Sequence, residues 1–498
     1  MSLTKKLFKG ALWNGINQFG IQGINFLITI ILARLLSPDQ FGLVGMVIVF
    51  TGILGYFSEM GIIYSIIREK DTGQEELSTA YWSGLAFGLV AYIICFLLAP
   101  LLSMFYKQPE LTNIVRIMSV SFLIRPFSFV SSALELKKIR YELIAKSGIA
   151  AAFISGIIAC YMAYGKYGVY AIVFQTILKD FIESILIIIM VKWYPQLRFS
   201  VDSFKKLYKF GVHVSFNNMI KFFSENMDYL LIGKMLGAHA LGIYTMAYRV
   251  SRYPLEKIWR IFGGMLFPAF STIQTDNSRM TDSIYKTSLL GGMVIIPFSV
   301  FLFFSTDIFI SVVLGSNWIP AKPIIRIFLL YIIFSAISFG DESAIMVIGK
   351  VKELNLIKLI SVGSFVLFGY VVLSRYQLKA ISLVFSIVTI IQTAIIKMYL
   401  LRLLNIKLTD YMKKILFLFP YTLILAFVAT ISYFLIRNRL PDLLSVIIYG
   451  AVIALFSLFL IYGKYAHDMK KSSSDRSGPG QVNKIRNISE NTNTLIKK

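Results

Sequence analysis

The chain has 498 residues, 57% of them hydrophobic and only 15% charged, with a mean hydropathy of +0.71. A water-soluble protein of this length needs far more polar surface, so the composition describes a polytopic membrane protein. Its formal net charge of +24 lies between apolar runs rather than on one compact domain, which points to anionic lipid headgroups and away from nucleic acid.

Fourteen apolar runs follow in order, at roughly 11–35, 41–67, 79–104, 114–134, 143–164, 169–191, 207–233, 240–270, 284–314, 324–347, 355–374, 379–401, 412–436 and 442–463. Nearly all are too long for the strands of an outer-membrane barrel, so the expected class is all-α, with 14 transmembrane helices. The eighth and ninth overrun a bilayer and are expected to tilt or project. Lys5, Lys6 and Lys9 precede the first run, and Trp13, Asn14 and Asn17 open it, which reads as an uncleaved first helix rather than a signal peptide.

Alternate loops carry the Lys and Arg. Lys137, Lys138, Arg140 and Lys146 follow the fourth run; Lys192, Arg198, Lys205, Lys206 and Lys209 follow the sixth. Lys350, Lys352 and Lys358 follow the tenth, and Lys407, Lys413 and Lys414 the twelfth, whereas the opposite loops hold little beyond Lys107, Lys166, His239 and Lys322. By the positive-inside rule both termini are expected in the cytoplasm. Cys95 and Cys160 sit inside apolar runs and suggest neither a disulfide nor a zinc site.

A repeat organises the chain. ILARLLSPDQFGLVG (31–45) lies over LIGKMLGAHALGIYT (231–245) without a gap, placing Asn17 on Asn217, Leu36 on Leu236 and Gly42 on Gly242. That match predicts two duplicated six-helix lobes, 1–195 and 196–404. An accessory helix pair (405–463) follows, then a basic tail (464–498) whose composition predicts disorder.

No nucleophile triad, phosphate loop or metal-ligand cluster stands out, and His213, His239 and His467 are far apart, so neither an enzyme nor a cofactor is expected. What remains is charge within spans, which must face water or protein. Arg249, Arg252, Glu256 and Arg260 are three and four apart, on one helical face. They form either an internal ladder or a positive face for an anionic headgroup, to which arginine offers paired donors. Lys221, Glu225 and Asp228 are similarly spaced; Lys221 and Glu225 can neutralise each other, leaving Asp228 without an evident partner and able to bind or titrate a coupling cation.

Glu59 lies within the second run and Arg125 precedes a bend-inducing Pro126; Lys179, Asp180 and Glu183 are close enough to pair locally. Asp341 and Glu342 are adjacent and face different ways, and Arg34 is placed to snorkel. Asn14, Gln18, Gln22 and Asn25 form a polar stripe beside Asn17, and Asn217, Asn218 and Asn226 give the seventh run a similar side; both suit either a wet cleft or interhelical glue. Tyr106, Trp193, Tyr194 and Trp318 are expected in the interfacial aromatic belts.

The stretches 12–46 (LWNGINQFGIQGINFLITIILARLLSPDQFGLVGM), 56–69 (YFSEMGIIYSIIRE) and 227–276, ending in LFPAFSTIQTD, carry a family likeness. Over about 8–460 the chain resembles bacterial O-antigen and exopolysaccharide flippases of the multidrug/oligosaccharidyl-lipid/polysaccharide exporter superfamily, in the branch that includes the colanic acid exporter. The resemblance implies a two-lobed, V-shaped fold in the bacterial cytoplasmic (inner) membrane. It implies cation-coupled alternating access, driven by H+ or Na+, that moves undecaprenyl-pyrophosphate-linked oligosaccharide from the inner to the outer leaflet. A polysaccharide polymerase and chain-length machinery would be partners. On this reading Arg249, Arg252, Arg260, Arg125, Asn17 and Asn217 serve the headgroup, and Asp228, Glu225 and Glu59 the coupling ion. A flippase for a peptidoglycan lipid and a multidrug exporter are the alternatives within the superfamily. A glycan polymerase would need a large outer loop, and every outer loop here is short.

Overall fold

A computed structural model describes the backbone of residues 3–69, 71–373, 378–437 and 442–476. The side chains of 3–9, 11, 257–262, 264, 373, 434–437, 442–443 and 463–476 lie outside the described set. The described chain is helical throughout its regular structure. Among its residues, 11 helices are long and apolar enough to cross a membrane, or up to 12 if one pair bent by 47° counts as one span. That is fewer than the fourteen expected. The sixth run carries Lys179, Asp180 and Glu183, and the seventh is rich in polar residues, so neither meets the criterion on composition.

The first half runs through α1 (Leu3–Leu35), α2 (Pro38–Glu59), α3 (Ile62–Arg68), α4 (Gln74–Tyr106), α5 (Leu111–Met118), α6 (Ser121–Ile124), α7 (Pro126–Lys137), α8 (Tyr141–Tyr164) and α9 (Tyr170–Val191). Ser37 stops α1 and starts α2: its amide donates to the Gln40 side chain at 3.0 Å, and Pro38 sits where a helix needs no amide hydrogen. Pro126 divides the fourth run as expected, separating α6 from α7. Small residues set the packing of α1 on α8. A Cβ on Gly156 would meet Ile28 at 1.8 Å, and one on Gly148 would meet Ile21 at 2.8 Å.

The second half continues through α10 (Val201–Glu225), α11 (Met227–Ser251), α12 (Tyr253–Ser271), α13 (Asn277–Phe309), α14 (Lys322–Ala336), α15 (Asp341–Val347), α16 (Val351–Leu373), α17 (Leu378–Leu403), α18 (Leu408–Ile415), α19 (Leu418–Arg437) and α20 (Asp442–Arg476). α20 carries helix past residue 463, where disorder was expected to begin, as far as Arg476; residues 477–498 lie outside the description.

α11 is two arms of a hairpin. Gly237 has φ 82° and ψ −175°, a conformation suited to a residue without a side chain. In a straight helix the sixteen residues from Asp228 to Tyr244 would span about 24 Å. Instead the Tyr244 hydroxyl donates to Asp228 at 2.7 Å, and the rings of Tyr229 and Tyr248 stand 6.2 Å apart. The chain reverses at Gly237, as it does at Ser37 in the first copy of the repeat.

α10, expected to open the second lobe, packs on first-half helices. Ser65 donates to the Leu207 carbonyl at 2.8 Å, Tyr208 and Ser83 share a 2.7 Å hydrogen bond, and Lys206 pairs with Glu69 (3.1 Å) and Glu76 (2.9 Å). Gly61 and Gly211 allow a close backbone approach: a Cβ on Gly61 would lie 2.4 Å from the carbonyl oxygen of Gly211, and one on Gly211 would lie 2.4 Å from that of Met60.

Candidate functional site

The two halves interlock at the end where both copies of the repeat turn. A Cβ on Gly42 would lie 1.8 Å from the carbonyl oxygen of Ala238, and one on Gly242 would lie 1.8 Å from that of Pro38. With the repeat's offset these contacts are each other's image, so α2 and the second arm of α11 cross backbone against backbone. Around the crossing, Trp318 Nε1 donates to the Ala33 carbonyl at 2.7 Å and its ring meets Phe41 edge-on at 5.2 Å. Arg34 donates to the carbonyls of Val312 and Val313, at the end of a π-turn (Ile310–Leu314) where helix carbonyls lack partners. His239 Nδ1 and Asp39 lie 3.0 Å apart at the rim. Two expectations are corrected here: Arg34 spans the halves instead of only snorkelling, and Trp318 is fully buried instead of sitting in an interfacial belt. Tyr106 is buried as well.

The charged residues of the second half close on one another. Arg252 Nε meets Glu256 at 2.5 Å, and the Tyr248 hydroxyl donates to the other Glu256 oxygen at 2.5 Å. The guanidinium lies over the rings of Phe385 (4.7 Å), Tyr248 (5.1 Å) and Tyr331 (5.9 Å), a desolvated setting in which cation–π attraction is strongest. Its Nη1 is buried without a hydrogen-bond partner. The common face expected for Arg249, Arg252, Glu256 and Arg260 is interrupted. The helix divides at Arg252, because Pro254 has no amide hydrogen to continue the ladder. Arg249 turns toward Phe41 of the first half, 5.8 Å from its ring. The Arg260 side chain lies outside the described residues.

Asp228 is buried and fully engaged, accepting from Tyr244 at 2.7 Å and from the Tyr229 amide at 3.0 Å, with Arg252 acting on it electrostatically. The absence of a local partner read from the sequence is thus corrected: the partner comes from the other arm of the hairpin. Glu225 stays apart, in an exposed contact with Lys221 at 3.8 Å. In the first half, Arg125 acts electrostatically on both Glu59 and Asp180. Lys179 and Glu183 form the local pair expected, at 3.3 Å. The two repeated asparagines do not share an environment. Asn17 is buried where α1 packs on α8, its Oδ1 without a partner, whereas Asn217 is exposed on α10.

Residues 31–323 match the family described as polysaccharide biosynthesis protein. The chain belongs to that family. It is 26% identical over 480 residues to the teichuronic acid biosynthesis protein TuaB of Bacillus subtilis (strain 168), covering 94% of this chain and 98% of that one. It is also 26% identical over 361 residues to the lipopolysaccharide biosynthesis protein WzxC of Escherichia coli (strain K12), covering 71% of this chain and 72% of that one. Among solved structures, the lipid II flippase MurJ in an inward closed conformation superposes with a TM-score of 0.71 at 16% identity, over 91% of this chain and 99% of that one. An inward-facing multidrug resistance MATE transporter of the MOP superfamily gives 0.59 at 12% identity, over 77% of this chain and 94% of that one. These likenesses show that the chain shares its fold with both transporters.

One charged site in this family member escaped the sequence reading. Lys397 of α17 meets Asp341 of α15 at 2.7 Å, both almost completely buried, with Ser288 of α13 3.3 Å away. The Tyr411 hydroxyl of α18 donates to Ser288 (2.9 Å) and its ring stands 4.6 Å from the ammonium. Glu342, next in sequence, points elsewhere and pairs with Lys358 at 2.7 Å. The divergence of Asp341 and Glu342 was legible; the lysine, 56 residues on, was not.

Proposed function

We propose that the protein carries undecaprenyl-pyrophosphate-linked oligosaccharide repeat units from the inner to the outer leaflet of the cytoplasmic membrane during surface polysaccharide synthesis. It acts as a transporter and not as an enzyme. The observation that carries this reading is the family match over 31–323, joined to relatives named for teichuronic acid and lipopolysaccharide synthesis. The geometry supports it. The halves interlock at one end through Gly42 and Gly242, while α12 packs on α11, α13 and α15 of its own half. Because α10 packs with the first half, the cleft for a large saccharide head, its lipid tail left in the bilayer, is assigned between that unit and the helices around α12.

On this reading fourteen helices cross the membrane, twelve in two lobes and two as an accessory pair, with α11 supplying one arm to each of two neighbouring spans, and both termini are cytoplasmic. The cleft then faces the cytosol and the glycine crossing closes the outer side; rocking about that crossing exchanges them. Arg249, Arg252 and Arg125 lower the cost of bringing phosphate charge toward the membrane centre. Asp228 is the better seat for a coupling H+ or Na+ than exposed Glu225, because it is buried and linked through Arg252 to the headgroup side. Glu59, tied to Arg125, is the first-half counterpart. A polymerase and chain-length machinery would receive the product. A multidrug exporter of cations is disfavoured by the surplus of arginine.

Leaflet-resolved transfer of lipid-linked repeat units in proteoliposomes tests this. Transfer that falls by at least about tenfold in Arg252→Ala and loses its response to an ion gradient in Asp228→Asn is expected. Well-folded parent protein that moves no polyprenyl-linked sugar would overturn the reading.

A further inference from the structure

We infer that α10 is the entry path for the substrate lipid, with a winding row of polar and cationic side chains for the diphosphate beside an apolar exposed face for the polyprenyl chain. The inference rests on the flippase reading and assigns it a route.

α10 has three faces. Leu207, Tyr208, Gly211 and Ser215 are buried against the first half, and Phe222 continues that face where it meets Tyr56 at 5.8 Å between ring centroids. Val212, Phe216, Ile220 and Phe223 are exposed and apolar, a surface suited to lipid. Lys205, Lys209, His213, Asn217 and Lys221 are exposed as well, each four residues after the last.

Four residues advance an α-helix by roughly 40° beyond a full turn, so this row does not run straight. From Lys205 to Lys221 it climbs about 24 Å and winds a little under about half a turn. It starts on the side of Val212 and Phe216 and moves off that side as it climbs. A headgroup that followed it would leave the bilayer surface and turn inward while its chain stayed on the apolar face. The pairing of charges fits such a use. Among the described residues Lys205 and Lys209 form no ion pair, and Lys221 has only the loose 3.8 Å contact with Glu225. Lys206, by contrast, is held by Glu69 and Glu76 and serves as the anchor of α10 on the first half. Arg68 adds a cation from α3: it is exposed and lies 4.3 Å over the ring of Phe210, between Lys209 and His213 in sequence.

The occupant this arrangement fits is a lipid-borne diphosphate. A free anion would use the cations and leave the apolar face idle, and a neutral lipid would do the reverse.

The test uses the full chain in nanodiscs with undecaprenyl diphosphate as probe and undecaprenol as the uncharged control. The double variant Lys205→Glu/Lys209→Glu should weaken diphosphate binding by about tenfold or more and leave undecaprenol unaffected. Lys352→Glu, a single lysine-to-glutamate change on α16, should do neither. A photo-crosslinking residue at Phe216 or Ile220 should label the prenyl chain, and one at exposed Leu359 of α16 should not. Because the altered lysines are exposed, thermal unfolding of each variant should match the parent. Unchanged affinity in the double variant, with transfer intact, would overturn the path and leave the flippase reading standing. Labelling at Leu359 equal to that at Phe216 would overturn the tail placement. A parent protein that neither binds the diphosphate nor transfers it would remove both.

Discussion

The two copies of the repeat agree where their backbones touch and disagree away from that point. At the crossing, Pro38 and Gly42 of one copy face Ala238 and Gly242 of the other through reciprocal contacts. Further along, Gly52 stands where the second copy has Arg252, and Asn17 is buried where Asn217 is exposed. The crossing leaves no room for a side chain on either partner, so both copies must meet the same steric demand. Beyond it each helix has its own neighbours, and the second copy has acquired charge that the first lacks. The shared steric demand keeps the crossing symmetric; away from it nothing requires the two copies to match.

Breaking a buried charge in the second half should have the largest effect. Lys397→Met strands Asp341 among buried neighbours and should cost about 3–5 kcal/mol of stability, read as thermal unfolding in detergent. Adding Asp341→Asn should recover most of that loss, since the penalty comes from the unpaired charge more than from the missing pair. A single variant as stable as the parent would mean that the pair contributes little to holding α15, α17 and α18 together.

An alanine at the crossing should cost less but reveal more. Gly42→Ala or Gly242→Ala forces a methyl into a carbonyl oxygen and should destabilise by about 1–3 kcal/mol each. The double variant should cost clearly less than the sum, because the backbones separated by the first methyl already make space for the second. Strict additivity in a double-mutant cycle would show that the two contacts are independent and not two faces of one pivot. Cysteines placed at Asp39 and His239 should crosslink readily in the parent and poorly in either alanine variant.

Much of this was readable in the sequence because it depends on local or repeated patterns. The apolar runs fixed the helical class, and the ungapped repeat picked out Gly42 and Gly242, whose contact is the closest between the halves. The four-residue spacing of Lys221 and Glu225, and of Lys179 and Glu183, foretold pairs that the helix brings together. Partners brought by tertiary structure were invisible. Asp228 finds Tyr244 only because the chain reverses at Gly237, and Asp341 finds Lys397 only because α15 and α17 are packed side by side. Trp318 was misplaced for a related reason. Composition rules put an aromatic near a turn into the membrane interface, but the opposite half supplies both an apolar wall and the Ala33 carbonyl.

The smallest effect should come at the rim of the crossing, where the most conspicuous pair contributes least. Asp39 and His239 meet at 3.0 Å across the halves and occupy equivalent positions in the repeat, which invites the idea of a latch. Both are more than half exposed, however, at 55% and 58%. An exposed ion pair is typically worth about 0–1 kcal/mol once solvent screening and side-chain entropy are counted. Asp39→Asn and His239→Gln should therefore leave transfer and thermal stability within about 1 kcal/mol of the parent. Trp318→Phe keeps the aromatic contact with Phe41 but removes the buried hydrogen bond to Ala33, so that carbonyl loses a partner it cannot replace with water. It should cost about 1–3 kcal/mol and loosen the 39–239 crosslink. A rim variant that outweighed Trp318→Phe would move the closing contact from the buried crossing to its charged edge.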